Sequence, residues 1–77
     1  MSNNLADLVV HIDESLPAVR LDTIERHIHD LDGIVCACRR REQPHLMTVV
    51  YSPEHVAAND ILANIEKEGV HAELVGL

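Results

Sequence analysis

The chain has 77 residues, which is enough for one compact domain and too few for two, so we expect a single domain over residues 1–77. Thirteen acidic residues against six basic ones give a net charge of −7, which argues against nucleic acid or an anionic membrane surface as a partner. Phe and Trp are absent and Tyr51 is the single Tyr, so the core must be aliphatic and offers no platform on which bases could stack.

No targeting or membrane-spanning segment is expected. Residues 1–7 have neither the basic start nor the apolar run of a signal peptide. No stretch approaches the roughly 20 apolar residues of a spanning helix. We therefore expect a cytoplasmic protein without membrane insertion, in which Cys36 and Cys38 stay reduced.

The first part of the chain predicts a strand followed by a helix. Residues 5–12 are rich in β-branched residues, and Leu8, Val10 and Ile12 alternate with Val9, His11 and Asp13, as in a half-buried strand. Ser15 is predicted to cap the following helix and Pro17 to occupy its first turn. Apolar residues at helical spacing then predict a helix over residues 17–31, which Gly33 ends because it tolerates a left-handed backbone.

The second part predicts two strands, a helix and a last strand. Residues 34–39 and 46–51 are predicted to pair as a hairpin through a polar loop over residues 40–44. A second amphipathic helix is indicated by three apolar residues, Ile61, Leu62 and Ile65. Gly69 is expected to end that helix, and residues 70–75 alternate as a final strand.

The predicted order is β-α-β-β-α-β, which is the ferredoxin-like arrangement. Right-handed crossovers place both helices on one face of a four-stranded antiparallel sheet. The fold class is therefore α+β, a two-layer sandwich. The other face of the sheet is left to solvent or to a partner.

Three segments of the chain resemble the heavy-metal-associated (HMA) domain family: residues 30–34 (DLDGI), 48–53 (TVVYSP) and 61–72 (ILANIEKEGVHA). In that family a helix ends in a Leu-Pro-Gly-Val-like turn, the third strand ends in Val-x-Tyr-Asp-Pro, and the second helix ends in Ile-Glu-x-x-Gly-Tyr-x-Ala. The resemblance covers residues 12–74. It implies a noncatalytic binding module in metal handling, with a metallochaperone-like role and a protein partner.

The metal-binding motif of that family is missing. By the spacing from Gly33, the two family cysteines would fall at Pro17 and Arg20, and the preceding Met at Ser15. Pro has no side-chain donor atom, and a guanidinium stays cationic, so neither can replace a thiolate. The chain resembles a degenerate member without the CxxC site, and any metal must be bound elsewhere.

Cys36 and Cys38 are the first candidates, because thiolates are the preferred ligands of Cu(I) and Zn(II). Residues two apart on a strand are separated by about 6.6 Å, whereas two sulfurs on one metal are at most about 4.6 Å apart. The alternative is that both are small half-buried hydrophobic residues. If Ala37 faces the helices with Val49, both cysteines face outward, and a one-residue slip would bury them.

His11 and His71 are the second candidates, because the first and last strands should be neighbours and both residues fall on the open face. With Asp13 and Glu73 on the same face, they could form a nitrogen and oxygen site for Zn(II), Ni(II) or Cu(II). The alternative is a pair of solvated surface histidines, since no second-shell partner can be named. His27, His29, His45 and His55 have no partner evident from the sequence.

The segment from Arg39 to Arg41 holds half of the basic residues in one hairpin. It could bind an acidic partner or a phosphate group, or serve as a charged edge that discourages pairing between molecules. The open sheet face should also carry Val9, Leu46, Thr48, Val50 and Val75. Such an apolar patch could bind a protein partner or form a homodimer.

Three alternatives to metal handling are an enzyme, a protein-interaction adaptor and a signal-peptide-binding maturation chaperone. An enzyme is not expected, because there is no Gly-rich phosphate loop, no serine elbow motif and no aligned nucleophile and base. A protein-interaction adaptor would use the open sheet face and the arginine-rich hairpin. Residues 8–12 (LVVHI) also look like the first strand of maturation chaperones that bind twin-arginine signal peptides on the same fold.

Overall fold

A computed structural model of the protein describes residues 4–75. The predicted order of strands and helices is confirmed. The elements are β1 (Ala6–Ile12), α1 (Ala18–His29), β2 (Ile34–Arg40), β3 (Gln43–Tyr51), α2 (Ala58–Glu66) and β4 (Ala72–Val75). The four strands form one antiparallel sheet in the order β2-β3-β1-β4. Neither helix in this part of the chain has the length and apolar character needed to cross a membrane.

The core lies between one face of the sheet and the two helices, as predicted. The buried positions of β1 alternate, so that Leu8, Val10 and Ile12 are buried while the residues between them are not. On the helices, the buried side chains are those at helical spacing: Leu21, Ile24, Ile28, Ile61 and Ile65. None of the polar or charged side chains within residues 4–75 is buried. Aliphatic packing against the sheet is therefore the main source of stability.

The hairpin between β2 and β3 is shorter than predicted, and the assignment of residues 40–44 to a loop was wrong. Arg40 belongs to β2 and pairs with Gln43, which leaves a two-residue turn. Pro44 lies inside β3, but β3 pairs with β1 only from Leu46 onward. The missing N–H of Pro44 therefore leaves no gap in the β1–β3 ladder. A register shift between Arg39 and Arg40 accommodates the short turn.

The start of α1 also differs from the prediction. The N-cap residue is Pro17, whose φ of −66° and ψ of 154° are extended, and no side chain caps the helix. Its carbonyl accepts the first helical hydrogen bonds, from the N–H groups of Arg20 (3.0 Å) and Leu21 (3.1 Å). The predicted capping by Ser15 was wrong, because Ser15 lies two residues before the N-cap.

The glycines predicted to end the helices do so in the expected conformation. Gly33 and Gly69 both have a φ of +89°, a conformation that L side chains rarely adopt. The helices end a little before them, α1 at His29 and α2 at Glu66. Strand β4 begins at Ala72, two residues later than predicted, because Val70 is buried in the connection.

Candidate functional site

The family resemblance places two cysteines at the start of α1, at Pro17 and Arg20, and polar contacts connect this helix to the end of α2. Pro17 is exposed, and Arg20 points toward the end of α2. The Arg20 guanidinium donates to the backbone carbonyl of Glu68 and lies 3.4 Å from its Oε1. His27 Nδ1 lies 2.8 Å from the other oxygen of that carboxylate, Oε2. Neither Pro17 nor Arg20 offers a ligand for a soft metal ion, so the residues present do not fit the family's thiol site.

Cys36 and Cys38 lie on the open face of the sheet. Ala37 between them is buried and pairs with Val49, which is fully buried against the helices. Cys36 is half-buried, Cys38 is exposed, and both are free thiols. Ala37 thus faces the helices with Val49, and both cysteines face outward, as the sequence predicts for that arrangement.

The two thiols are close enough to influence one another. Burial raises the pKa of the Cys38 thiol, and a hydrogen bond with Cys36 raises it further. A raised pKa favours the thiol over the thiolate, so a metal ion would have to displace a proton to bind there. Across residues 4–75, no carboxylate or imidazole joins the two sulfurs in a group of three potential ligands.

His11, Asp13 and Glu73 do form such a group. His11 on β1 is directly opposite Glu73 on β4, and Asp13 follows His11 by two residues. Each of the three offers one ligand atom, and these atoms all lie within 4.8 Å of one another. The Nδ1 of His11 and the Oδ1 of Asp13 are 3.1 Å apart. His11 is half-buried, whereas the two carboxylates are exposed.

His71, which the sequence analysis grouped with His11, instead pairs with Glu14. Its Nδ1 lies 2.6 Å from Glu14 Oε2, and its backbone N–H donates to Oε1 at 2.9 Å. These hydrogen bonds lower the pKa of Glu14 and raise the pKa of His71. The sequence analysis missed Glu14, because only the fold shows that the β1–α1 turn meets the α2–β4 connection.

His45 is a second residue that the sequence analysis missed. Its Nδ1–H donates to the carbonyl of Ile12 at 2.7 Å, since a carbonyl can only accept. Its ring stacks on that of His11, with 5.7 Å between centroids and 17° between planes. His45 was predicted to be a loop or strand-end residue with no evident partner, because β3 was expected to begin only at Leu46.

The three arginines of the β2–β3 hairpin differ in their surroundings. Arg39 is only 15% exposed and pairs with two carboxylates of α1, with Asp22 at 2.8 Å and also with Glu25. Arg40 and Arg41 are exposed at the turn. Two of the three guanidinium groups therefore project from the hairpin, and the third ties β2 to α1.

The chain matches solved structures of known proteins, but it matches no family model and no curated sequence. Three similar structures illustrate the result. A copper-binding domain of HMA7, a P-type ATPase, is 24% identical to this chain in sequence, and the two structures superpose with a TM-score of 0.81 over 91% of this chain and 93% of that domain. The N-terminal domain of a potential copper-translocating P-type ATPase from Bacillus subtilis, solved with Cu(I), is 20% identical, with a TM-score of 0.84 over 95% and 90%. Oxidized MerP from Ralstonia metallidurans CH34 is 8% identical, with a TM-score of 0.84 over 95% and 100%.

These likenesses extend over nearly the whole chain at very low identity. They show that the protein has the ferredoxin-like fold of heavy-metal-associated domains, as the sequence resemblance implied. A fold alone does not assign a function, so the function must be argued from the residues.

Proposed function

We propose that this chain is a small noncatalytic module that binds and handles a metal ion. The observation that supports the proposal is the likeness of its fold, over 91% and 95% of the chain, to two copper-binding domains of P-type ATPases. The TM-scores of 0.81 and 0.84 show that the backbones follow the same path over that length. A binding role also agrees with the absence of a catalytic motif in the sequence.

The ion cannot be held as it is in the resembling family. Arg20 places a permanent positive charge where the family has a thiolate, and that charge is engaged with Glu68. Cargo binding is therefore assigned to other residues, either the thiols of Cys36 and Cys38 or the group around His11. The thiol pair would select Cu(I) or Zn(II).

Titration calorimetry of the reduced protein with Cu(I) and with Zn(II) tests this proposal. We expect saturable binding with a micromolar or tighter dissociation constant. The Cys36→Ser/Cys38→Ser variant separates the two sites, because it removes both sulfurs and leaves the His11 group unchanged. The metal-handling proposal fails if Cu(I), Zn(II), Ni(II) and Cu(II) all give no saturable heat.

A second candidate, a protein-interaction adaptor, is favoured by the uncovered face of the sheet. No helix covers this face, so its mainly apolar side chains are only half-buried or are exposed. These side chains are Val9, Leu46, Thr48, Val50 and Val75. Arg40 and Arg41 extend this surface with positive charge at one edge. A protein partner, or a second copy of the chain, could be bound here with or without a metal ion.

Chelation distinguishes the two candidate functions. Partner capture from native extract should be lost in the presence of a chelator if the ion bridges the two proteins. Capture that survives chelation and is lost in Arg40→Glu would favour the adaptor. Light scattering with and without chelator tests a homodimer in the same way.

A further inference from the structure

The backbone places three ligand-bearing residues on one face at the β1–β4 edge of the sheet. His11 and Glu73 are direct partners across an antiparallel pair, where opposed Cβ atoms lie about 4.5–5.5 Å apart. The N–H of Asp13 donates to the carbonyl of His71 at 2.9 Å, so the chain continues alongside the last strand beyond the end of β1. His11 and Asp13 therefore point to the same side.

The spacing of the donor atoms suits one metal ion. Zn–N and Zn–O bonds of about 2.0–2.1 Å at angles of 90–109° put neighbouring ligand atoms about 2.9–3.4 Å apart. His11 Nδ1 and Asp13 Oδ1, at 3.1 Å, already have this separation. Glu73 lies on the short strand β4 with its side chain exposed, and its carboxylate atom is within 4.8 Å of the other two. The Glu73 carboxylate would have to move closer than this limit to share one ion with His11 and Asp13, and its exposed position leaves room for that movement.

The chemistry of the three ligands specifies the class of ion. One imidazole nitrogen and two carboxylate oxygens suit divalent ions of intermediate softness, whereas Cu(I) prefers thiolates. With neutral His11 the group carries two negative charges, in a protein whose net charge is −7, and this favours a cation. Water molecules would complete the coordination.

We propose that His11, Asp13 and Glu73 bind a divalent transition-metal ion, Zn(II), Ni(II) or Cu(II), on the open face of the sheet. The inference rests on the proposed function and specifies its cargo. The site lies at the β1–β4 edge of the sheet, whereas the family's thiol positions fall at the start of α1, at Pro17 and Arg20. An ion bound to His11 Nδ1 and Asp13 Oδ1 would replace the direct contact of 3.1 Å between these two atoms.

His45 acts as a positioning residue for this site. Its ring is fixed by the hydrogen bond from Nδ1–H to the carbonyl of Ile12, and it stacks on the ring of His11. The stacking restricts the orientation of His11, so less conformational entropy is lost when an ion binds. A ligand set held in place before binding is a general feature of functional metal sites.

Calorimetry with Zn(II) and Ni(II) on conservative variants tests the inference. Asp13→Asn and Glu73→Gln keep the shape of each exposed side chain and should each weaken binding by about tenfold or more. Glu54→Gln, an equally exposed change at the opposite end of the sheet, is the matched control and should bind as the unaltered protein does. Cys36→Ser/Cys38→Ser should also leave divalent binding unchanged.

NMR with Cu(II) gives a readout of position. Paramagnetic broadening should be concentrated at residues 11–13 and 72–74 and should decrease in Asp13→Asn. Amide spectra without metal verify that each variant is folded.

The outcomes separate this inference from the proposed function. Metal binding that survives in both Asp13→Asn and Glu73→Gln, or broadening centred on Cys36 and Cys38, overturns the site and leaves metal handling intact. If the unaltered protein binds none of the four ions, both the site and the metal-handling function are overturned.

Discussion

Arg20 and Glu68 are 48 residues apart, yet the Arg20 guanidinium contacts both the backbone carbonyl and the carboxylate of Glu68. His27, two turns further along α1, binds the other oxygen of the same carboxylate. This cluster joins α1, whose first turn corresponds to the thiol positions of the HMA family, to the end of α2. The start of α1 is thus anchored by the Arg20–Glu68 ion pair.

Replacing Arg20 should measure the contribution of this anchor. Arg20→Gln is expected to lower the free energy of unfolding by about 1 kcal/mol, because hydrogen bonds to charged groups stabilise modestly when partly exposed. The side chain of Arg20 is 37% exposed and that of Glu68 18% exposed, so solvent screens part of the interaction. Urea unfolding gives the value, with Arg41→Gln in the exposed turn as the control. Equal losses in the two variants would contradict a specific Arg20 contact.

Arg39 and Arg40 are adjacent but should respond differently to substitution. Arg39→Gln removes the partner of Glu25, whose side chain is 23% exposed, and should cost about 1–2 kcal/mol of stability. Arg40 is exposed, so Arg40→Gln should change stability by no more than about 0.5 kcal/mol. Urea unfolding compares them. A double variant, Glu25→Gln/Arg39→Gln, should recover part of the loss, and no recovery would argue against the pairing.

The two left-handed glycines form a second matched pair. At a φ of +89° an Ala is strained at either position, by about 1–2 kcal/mol. A Cβ at Gly33 would also lie 2.9 Å from the Cβ of His55 and 3.0 Å from Cγ1 of Val56, whereas one at Gly69 meets nothing within 4 Å. Thermal unfolding should therefore show a larger loss for Gly33→Ala than for Gly69→Ala. Equal losses would mean that the loop at His55 moves aside without cost.

The Glu14–His71 pair predicts a pH dependence of stability. The pKa of His71 is raised from 6.5, so its contribution is complete below pH 6.5 and is lost as the pH rises through the higher folded value. The pKa of Glu14 is lowered from 4.5, so its contribution is complete above pH 4.5 and is lost as the pH falls through the lower folded value. The coupling between the two residues should therefore be greatest between pH 4.5 and 6.5.

A double-mutant cycle measures that coupling. Glu14→Gln, His71→Gln and the combined variant are unfolded thermally from pH 4 to pH 9 in the presence of a chelator. The coupling should be small, because the His71 side chain is 84% exposed and solvent screens the pair. A coupling that does not vary with pH would show that the charges of the pair do not contribute.

Much of the fold could be predicted because it depends on local pattern. The alternation in β1 placed Leu8, Val10 and Ile12 in the core, and the structure buries all three. Gly33 and Gly69 marked the ends of the helices, and both have the left-handed backbone that only glycine adopts readily. These features follow from side-chain period and backbone sterics within a few neighbouring residues. The sequence alone therefore determined the order of elements, the buried faces and the absence of thiols in the β1–α1 turn.

The contacts of the functional side chains were decided by the tertiary structure. His71 pairs with Glu14 and not with His11, and His45 stacks on His11, because β3 begins earlier than its apolar pattern indicates. Arg39 lies on the same side of β2 as Ala37, and its pairing with Asp22 and Glu25 depends on how α1 packs against that strand. Each contact joins segments far apart in sequence, and a shift of one residue in strand register moves a side chain to the opposite face. Local pattern carries no information on such a shift, so these partners were settled only when the strands paired.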